Sequence, residues 1–124
     1  MSDMSAYVGD KLLNWIKGTA FGTAPSSVYA SLYNGDPDSA GTEVTGTVNL
    51  TRQAITWGSV SARALSNSAQ ISFGTANGSA TATYVVLWDA SSAGNQISKK
   101  SISSASITNG ETVAIAASAL TLSY

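Results

Sequence analysis

The segment from Thr81 to Trp88 reads TATYVVLW, and its last five residues, Tyr84 to Trp88, are apolar at every position. A strand with one face in water alternates apolar and polar residues, because successive side chains point to opposite faces of the sheet. An unbroken apolar run is instead typical of a strand that is covered on both faces. The sequence therefore predicts that residues 81–88 form a central strand of a β-sheet.

Shorter runs with strand character surround this segment and are separated by Gly, Pro, Asn and Ser. They span residues 27–33, 50–57, 70–73, 96–101, 102–108, 112–116 and 120–124. Asn109-Gly110 lies between two of these runs, and Asn-Gly in that position is the strongest short-range hairpin signal. This pattern predicts a mainly β fold, an antiparallel β-sandwich of about seven to eight short strands with one N-terminal amphipathic helix.

The helix is predicted from apolar residues that recur at helical spacing, at Val8, Leu12, Trp15 and Ile16. Ser5 is placed to cap its start and Gly18 to end it. Gly9 weakens it by about 1 kcal/mol relative to alanine. The apolar stripe therefore needs a surface to pack against, either the domain's own sheet or a neighbouring subunit. We expect a helical segment at 1–18 and a β-sandwich domain at 19–124 that together form one structural unit.

Composition excludes several classes of function. Only 10% of the 124 residues are charged, and the net charge is −1, so the clustered Lys and Arg of a nucleic-acid-binding protein are missing. No segment approaches the roughly 20 apolar residues of a membrane span. The first residues carry Asp3 and Asp10 and are not a secretory signal, so we expect synthesis in the cytoplasm of the producing cell. A lightly charged, hydroxyl-rich surface is cheap to desolvate and favours burial in an assembly.

Chemistry is equally restricted, because the sequence has neither His nor Cys. Imidazole bases, thiolate nucleophiles and His or Cys metal sites are therefore excluded. The loop with Asp36, Asp38 and Glu43 could offer oxygen ligands to calcium, but Pro37 breaks the spacing of the helix-flanked calcium loop. We favour a structural turn in which Asp36 and Asp38 bond to backbone amides of their own loop. We expect no enzymatic activity, no catalytic residue, no bound metal and no cofactor.

Aromatic residues leave one binding alternative open. Three Trp and five Tyr could form a stacking platform for sugar rings, with Trp57, Tyr29 and Tyr33 as the candidates. The competing interpretation places Trp57 and Trp88 in the sandwich core and the two tyrosines on a strand face. Whether the rings lie side by side on an exposed surface decides between a carbohydrate-binding module and a structural protein.

The order of motifs along nearly the whole chain resembles a family of short virion proteins of tailed phages, described as tail-fibre-like proteins and similar in several phages to capsid decoration proteins. The shared features are short segments that are unspecific singly and informative in their order. They are the N-terminal helix with residues 11–13, GTAF at 18–21, PSSVYASLY at 25–33, AGTEVTG at 40–46, TRQAITW at 51–57, SNSA at 66–69, LWDA at 87–90, GN at 94–95, NGET at 109–112 and ALTL at 119–122. Residues 97–101 and 47–50 depart from the family pattern.

The resemblance implies a virion component without enzymatic activity, made in the bacterial cytoplasm and assembled as a homotrimer with the major capsid protein or other virion proteins. The leading hypothesis is a capsid decoration or cement protein, and the alternatives are a tail-fibre or tail-tip component or a sugar-binding module. We expect no nucleic-acid or membrane partner. The predicted inter-subunit contacts are Leu12, Leu13, Trp15 and Ile16.

Overall fold

The computed structural model describes residues 4–123. Within these residues the one α-helix, α1, spans Ala6–Ile16, and a 3-10 turn spans Gly46–Val48. In this range the nine strands are β1 Tyr29–Asn34, β2 Thr42–Glu43, β3 Gln53–Ala54, β4 Ala64–Ser66, β5 Ile71–Thr75, β6 Ala80–Trp88, β7 Gln96–Ile107, β8 Thr112–Ile115 and β9 Thr121–Ser123. The protein is therefore mainly β with one N-terminal helix, as predicted.

The main sheet has five antiparallel strands, with β6 in its centre. β6 pairs with β1 along one edge and with β7 along the other, while β2 and β3 both pair with β1. Val85, Val86 and Leu87 are each at most 2% exposed. The prediction that residues 81–88 form a central strand is confirmed.

The core lies between the main sheet and a second layer of two strand pairs, β4–β9 and β5–β8. Leu32 and Leu87 project from the main sheet into this space, and Phe73 and Leu122 meet them from the second layer. Because side chains alternate along a strand, the opposite face of β1 carries Tyr29, Ser31 and Tyr33. This two-layer arrangement fits the predicted antiparallel sandwich.

The predicted hairpin across Asn109-Gly110 is wrong in its pairing, although the turn itself forms. Glu111 N donates to Thr108 O at 3.0 Å, and Gly110 has a φ of 88°. Within residues 4–123, however, β7 pairs with β6 and β8 pairs with β5. Asn109-Gly110 specifies only the backbone conformation of a four-residue turn. Which sheet each flanking strand joins depends on which apolar faces pack together in the core. The chain thus crosses from one layer to the other at this turn.

The prediction for residues 50–57 is also only partly right, because the strand is confined to β3. One edge of β1 is shared between two partners, with Tyr33 and Asn34 paired to β2 and Tyr29 and Ala30 paired to β3. The short strands β2 and β4 were not predicted. Residues 96–107 form one strand rather than two, with residues 102–104 bulging opposite Thr83. The last predicted strand appears as β9, and Tyr124 lies outside the described residues.

Candidate interaction surface

Helix α1 is attached to the domain at its N-terminal end. Met4 forms an antiparallel bridge with Ser98 at the outer edge of β7. Ser5 N donates to Ile97 O at 2.8 Å, and the Ser5 hydroxyl donates to Gln96 O. The same hydroxyl oxygen accepts from Val8 N at 3.3 Å and so caps the helix, as predicted. The residue that begins the helix therefore also joins it to the sheet.

The helix ends at Gly18, as predicted. Gly18 has a φ of 105°, and its amide donates to Trp15 O at 3.0 Å while Thr19 N donates to Asn14 O at 2.9 Å. This pair of bonds is the Schellman arrangement, in which a left-handed glycine lets the chain turn back over the last carbonyl groups. The end of α1 is thus fixed by hydrogen bonds among residues 14–19.

The apolar stripe of α1 is largely uncovered. No residue of Ala6–Ile16 is buried, and Leu13, Trp15 and Ile16 are 65%, 59% and 67% exposed. Leu12, the fourth predicted contact residue, is half-buried. We call Leu13, Trp15 and Ile16 the helix stripe. Large apolar side chains grouped on one surface are typical of a protein–protein contact.

The connector that follows α1 adds an aromatic side chain that was not predicted as a contact residue. Phe21 is 42% exposed, and its carbonyl accepts from Lys11 Nζ at 3.1 Å. Lys11 Nζ also lies 5.1 Å from the centre of the Tyr7 ring. A hollow of about 370 Å³ lies between the helix and residues 21–25. An isolated Phe in a Gly- and Thr-rich connector gives little periodic signal, so sequence reasoning had no basis for selecting it.

The aromatic candidates for sugar binding do not form an open platform. Trp57 is half-buried and packs against the core, as the structural interpretation predicts. Trp88 does not join the core: its ring stacks on Tyr33 at 6.4 Å on the opposite face of the sheet, and its Nε1 donates to the Ser31 hydroxyl. Tyr33 is 9% exposed, and Tyr29 is half-buried.

Arg52 covers the Trp88 ring. Its guanidinium carbon lies 4.2 Å from the ring centroid, and Nη2 is 3.1 Å from Glu43 Oε1. Nη1 donates to the carbonyl groups of Ala90 and Ala93. Burial raises the pKa of the Tyr33 hydroxyl, the Glu43 carboxylate raises it further, and Arg52 acts in the opposite direction. This cluster ties strand β2, the loop that carries Arg52 and the 89–95 loop to the outer face of β1 and β6.

The Asp36 loop forms the predicted turn. Asp36 Oδ1 accepts from Asp38 N at 2.9 Å, and Lys99 Nζ lies 2.7 Å from Asp36 Oδ1 and 2.9 Å from Asp38 Oδ2. The Asp38 carboxylate thus contacts Lys99, where a bond to its own loop was predicted. The hydrogen bond from Lys99 lowers the pKa of Asp36 below its usual value. Within residues 4–123, no group of three or more His, Cys, Asp or Glu could hold a metal ion.

The 89–95 loop is held by a third carboxylate. Asp89 Oδ1 accepts from Asn95 N at 2.7 Å, and Asp89 Oδ2 accepts from Asn95 Nδ2 at 3.0 Å. These bonds lower the pKa of Asp89 below its usual value. The two aspartates with lowered pKa values, Asp36 and Asp89, thus both organise turns on the main sheet.

The described residues therefore place the protein in the class of small antiparallel β-domains, here with an N-terminal helix whose large apolar side chains are exposed. In residues 4–123, no helix is long and apolar enough to cross a membrane. A search of curated proteins found no match.

Residues 3–123 match the protein family described as "Podophage GP4 fiber I protein gp80". The chain belongs to this family, and the predicted resemblance to a short tail-fibre-like virion protein is confirmed. Family membership makes the chain a fibre-type structural protein of the virion of a short-tailed phage.

Proposed function

We propose that the chain is a non-enzymatic subunit of the phage fibre apparatus and that the helix stripe holds it in the particle. The observation that carries this proposal is the more than half-exposed state of Leu13, Trp15 and Ile16. Burial of one such side chain contributes about 1.5–3 kcal/mol. Docking of the stripe would therefore supply a substantial part of a stable contact.

Helix length supports the same proposal. Helix α1 has 11 residues, and isolated helices shorter than about 12–15 residues are marginal in water. Its ties to the β-domain at Met4 and Ser5 lie before its first turn. Packing the stripe against a second surface would stabilise the C-terminal half of α1, where Leu13, Trp15 and Ile16 lie. Attachment to the particle would then also stabilise the helical conformation of α1.

A fibre is built from repeated copies, so we propose that the functional unit is a homo-oligomer, with the threefold symmetry expected from the sequence. The stripe residues carry no ionisable group. Contact between copies then brings no like charges together and desolvates few ions. The partner beyond the oligomer is another virion protein, and the β-domain projects away from it.

Capsid decoration is the second candidate. It is favoured by the low charge of the chain, 10% of residues, because modest contacts without charge desolvation can be repeated many times across a shell. Copy number separates the two candidates. A fibre subunit would be present in a small multiple of the tail symmetry, whereas a decoration protein would be present in hundreds of copies.

The test uses phage that carries the double substitution Leu13→Glu and Ile16→Glu. The matched control is Val60→Glu, because Val60 is 72% exposed and lies outside α1. We expect the double variant to fold with wild-type circular dichroism but to fall about tenfold or more in copies per particle, counted by mass spectrometry. The control should be incorporated normally. Wild-type incorporation of the double variant would contradict the proposal.

A further inference from the structure

A second apolar surface lies beside the turn at residues 108–111. β7, before this turn, and β8, after it, join different sheets, and a groove of about 390 Å³ opens between them. Its floor and walls are formed by apolar side chains of both layers, among them Ala105, Ile107, Val113, Ile115 and Leu120. Val113 and Ile115 are half-buried and Ala105 is exposed, so the groove is accessible.

The groove is not filled by the chain's own helix. None of the stripe residues lines it, and all three remain more than half exposed. The helix is tied to β7 at residues 96–98, whereas the groove runs along residues 100–107 of the same strand. One chain thus carries a convex apolar surface and a concave one, each without a described partner within residues 4–123.

We propose that the groove between β7 and β8 receives the helix stripe of a second copy of the chain. This inference rests on the proposed function, since it names the surface on which the stripe docks within the oligomer. The mode is that of an amphipathic helix in an apolar groove, with anchors three residues apart at Leu13 and Ile16 and with Trp15 on the other flank of Ile16.

The scarcity of charged groups on both surfaces is consistent with a second copy as the occupant of the groove. The stripe contains no ionisable side chain, and Lys100 is the one ionisable residue among the described residues that line the groove. The contact therefore buries apolar surface on both sides, with little cost for desolvating charge.

Symmetry gives the contact its form. A stripe that enters the groove of the next copy is a head-to-tail interface, which closes into a ring when the rotation between copies returns to the start. Each subunit then contributes one stripe and one groove. Each subunit therefore takes part in two interfaces, so the total buried area is larger than that of a single small interface. The predicted threefold arrangement is one such ring.

The test is disulfide cross-linking, which is clean because the sequence has no Cys. Ile16→Cys places a thiol in the stripe, and Ala105→Cys places one in the groove. The two variants, one carrying an affinity tag, are mixed and oxidised. We expect the tagged–untagged dimer to be at least about tenfold more abundant than the disulfide-linked homodimer of either variant, because a disulfide forms only when Cα atoms approach within about 7 Å.

Val60→Cys mixed with Ala105→Cys is the control for random collision and should give no enrichment. Efficient dimerisation of Ile16→Cys alone would overturn the proposal, because the stripes would then face each other. A monomer in analytical ultracentrifugation at high concentration would also overturn it. Loss of the Leu13→Glu, Ile16→Glu variant from particles would then still support attachment to the particle through the helix stripe, with another virion protein as the docking surface, while the homo-oligomer would be refuted.

Discussion

The guanidinium carbon of Arg52 lies 4.2 Å from the centroid of the Trp88 ring. The Arg52 side chain is 9% exposed, and its partner Glu43 is 29% exposed. Cation–π attraction, an ion pair and two carbonyl bonds therefore converge on one nearly buried group. The planar guanidinium supplies donors in several directions at once, which a lysine ammonium on a flexible stem cannot match.

Arg52→Lys should therefore lower the free energy of unfolding by about 1–3 kcal/mol, because Glu43 and the carbonyl groups of Ala90 and Ala93 lose bonding partners. Urea denaturation followed by Trp fluorescence measures this loss. Arg63→Lys, at an exposed turn, is the matched control and should change stability by less than about 0.5 kcal/mol. Equal stability of the two variants would show that the cluster contributes nothing.

Substitutions at a strained turn should instead raise the free energy of unfolding. Ser61 and Ala64 exchange two backbone hydrogen bonds around Ala62 and Arg63, whose φ angles are 50° and 62°. Two positive φ angles define a type I′ turn, for which Asn-Gly is preferred. Ala62→Asn with Arg63→Gly should raise the free energy of unfolding by about 1 kcal/mol. Arg63→Ala keeps the strain and should give no gain; a gain as large as that of the Asn-Gly variant would refute the explanation.

Stability should depend on pH through Lys99 and Asp36. A carboxyl with a lowered pKa stabilises the fold above its unfolded value, near 3.8 for Asp36, and this contribution disappears as the pH falls through the folded pKa. The hydrogen bond from Lys99 to Asp36 raises the pKa of Lys99 above 10.5. Its contribution is present below that pH and is lost as the pH rises through the folded pKa.

Lys99→Gln should therefore flatten the plot of melting temperature against pH at both ends. Some acid dependence should persist, because Asp89 also has a lowered pKa and lies outside this contact. Lys17→Gln, at the exposed end of α1, is the control and should retain the wild-type profile. A wild-type profile for Lys99→Gln would mean that the ion pair does not act in solution.

Gly41 should be intolerant of any side chain. A Cβ atom at this position would lie 2.4 Å from the Gly35 carbonyl oxygen and 2.5 Å from that of Asp36, whereas one at Gly46 would meet nothing within 4 Å. Gly41→Ala should lower the free energy of unfolding by about 1–3 kcal/mol, because the loop must move to remove the clash. Gly46→Ala should have a much smaller effect in the same denaturation assay. Comparable losses would contradict this account.

Features that depend on neighbouring residues could be predicted from the sequence. Ser5 caps α1 and Gly18 ends it because capping involves bonds within a few residues. The continuous apolar run in β6 predicted its central position, because a strand that is covered on both faces carries apolar residues at successive positions. The predicted docking residues were Leu12, Leu13, Trp15 and Ile16. The last three are the most exposed large apolar side chains of α1, whereas Leu12 is half-buried.

Features that depend on residues far apart in the sequence could not be predicted. The pairing of β8 with β5, the sharing of one β1 edge by β2 and β3, and the position of Trp88 outside the core all follow from contacts far apart in sequence. Asn109-Gly110 predicts a reverse turn equally well whether the strands on either side pair or separate. The sequence alone determined the helix, the central strand and the turn at Asn109-Gly110, because these depend on local bonds and periodicity. Only the tertiary structure decided which edges pair, and so where the groove opens, because that choice depends on how whole apolar faces pack together.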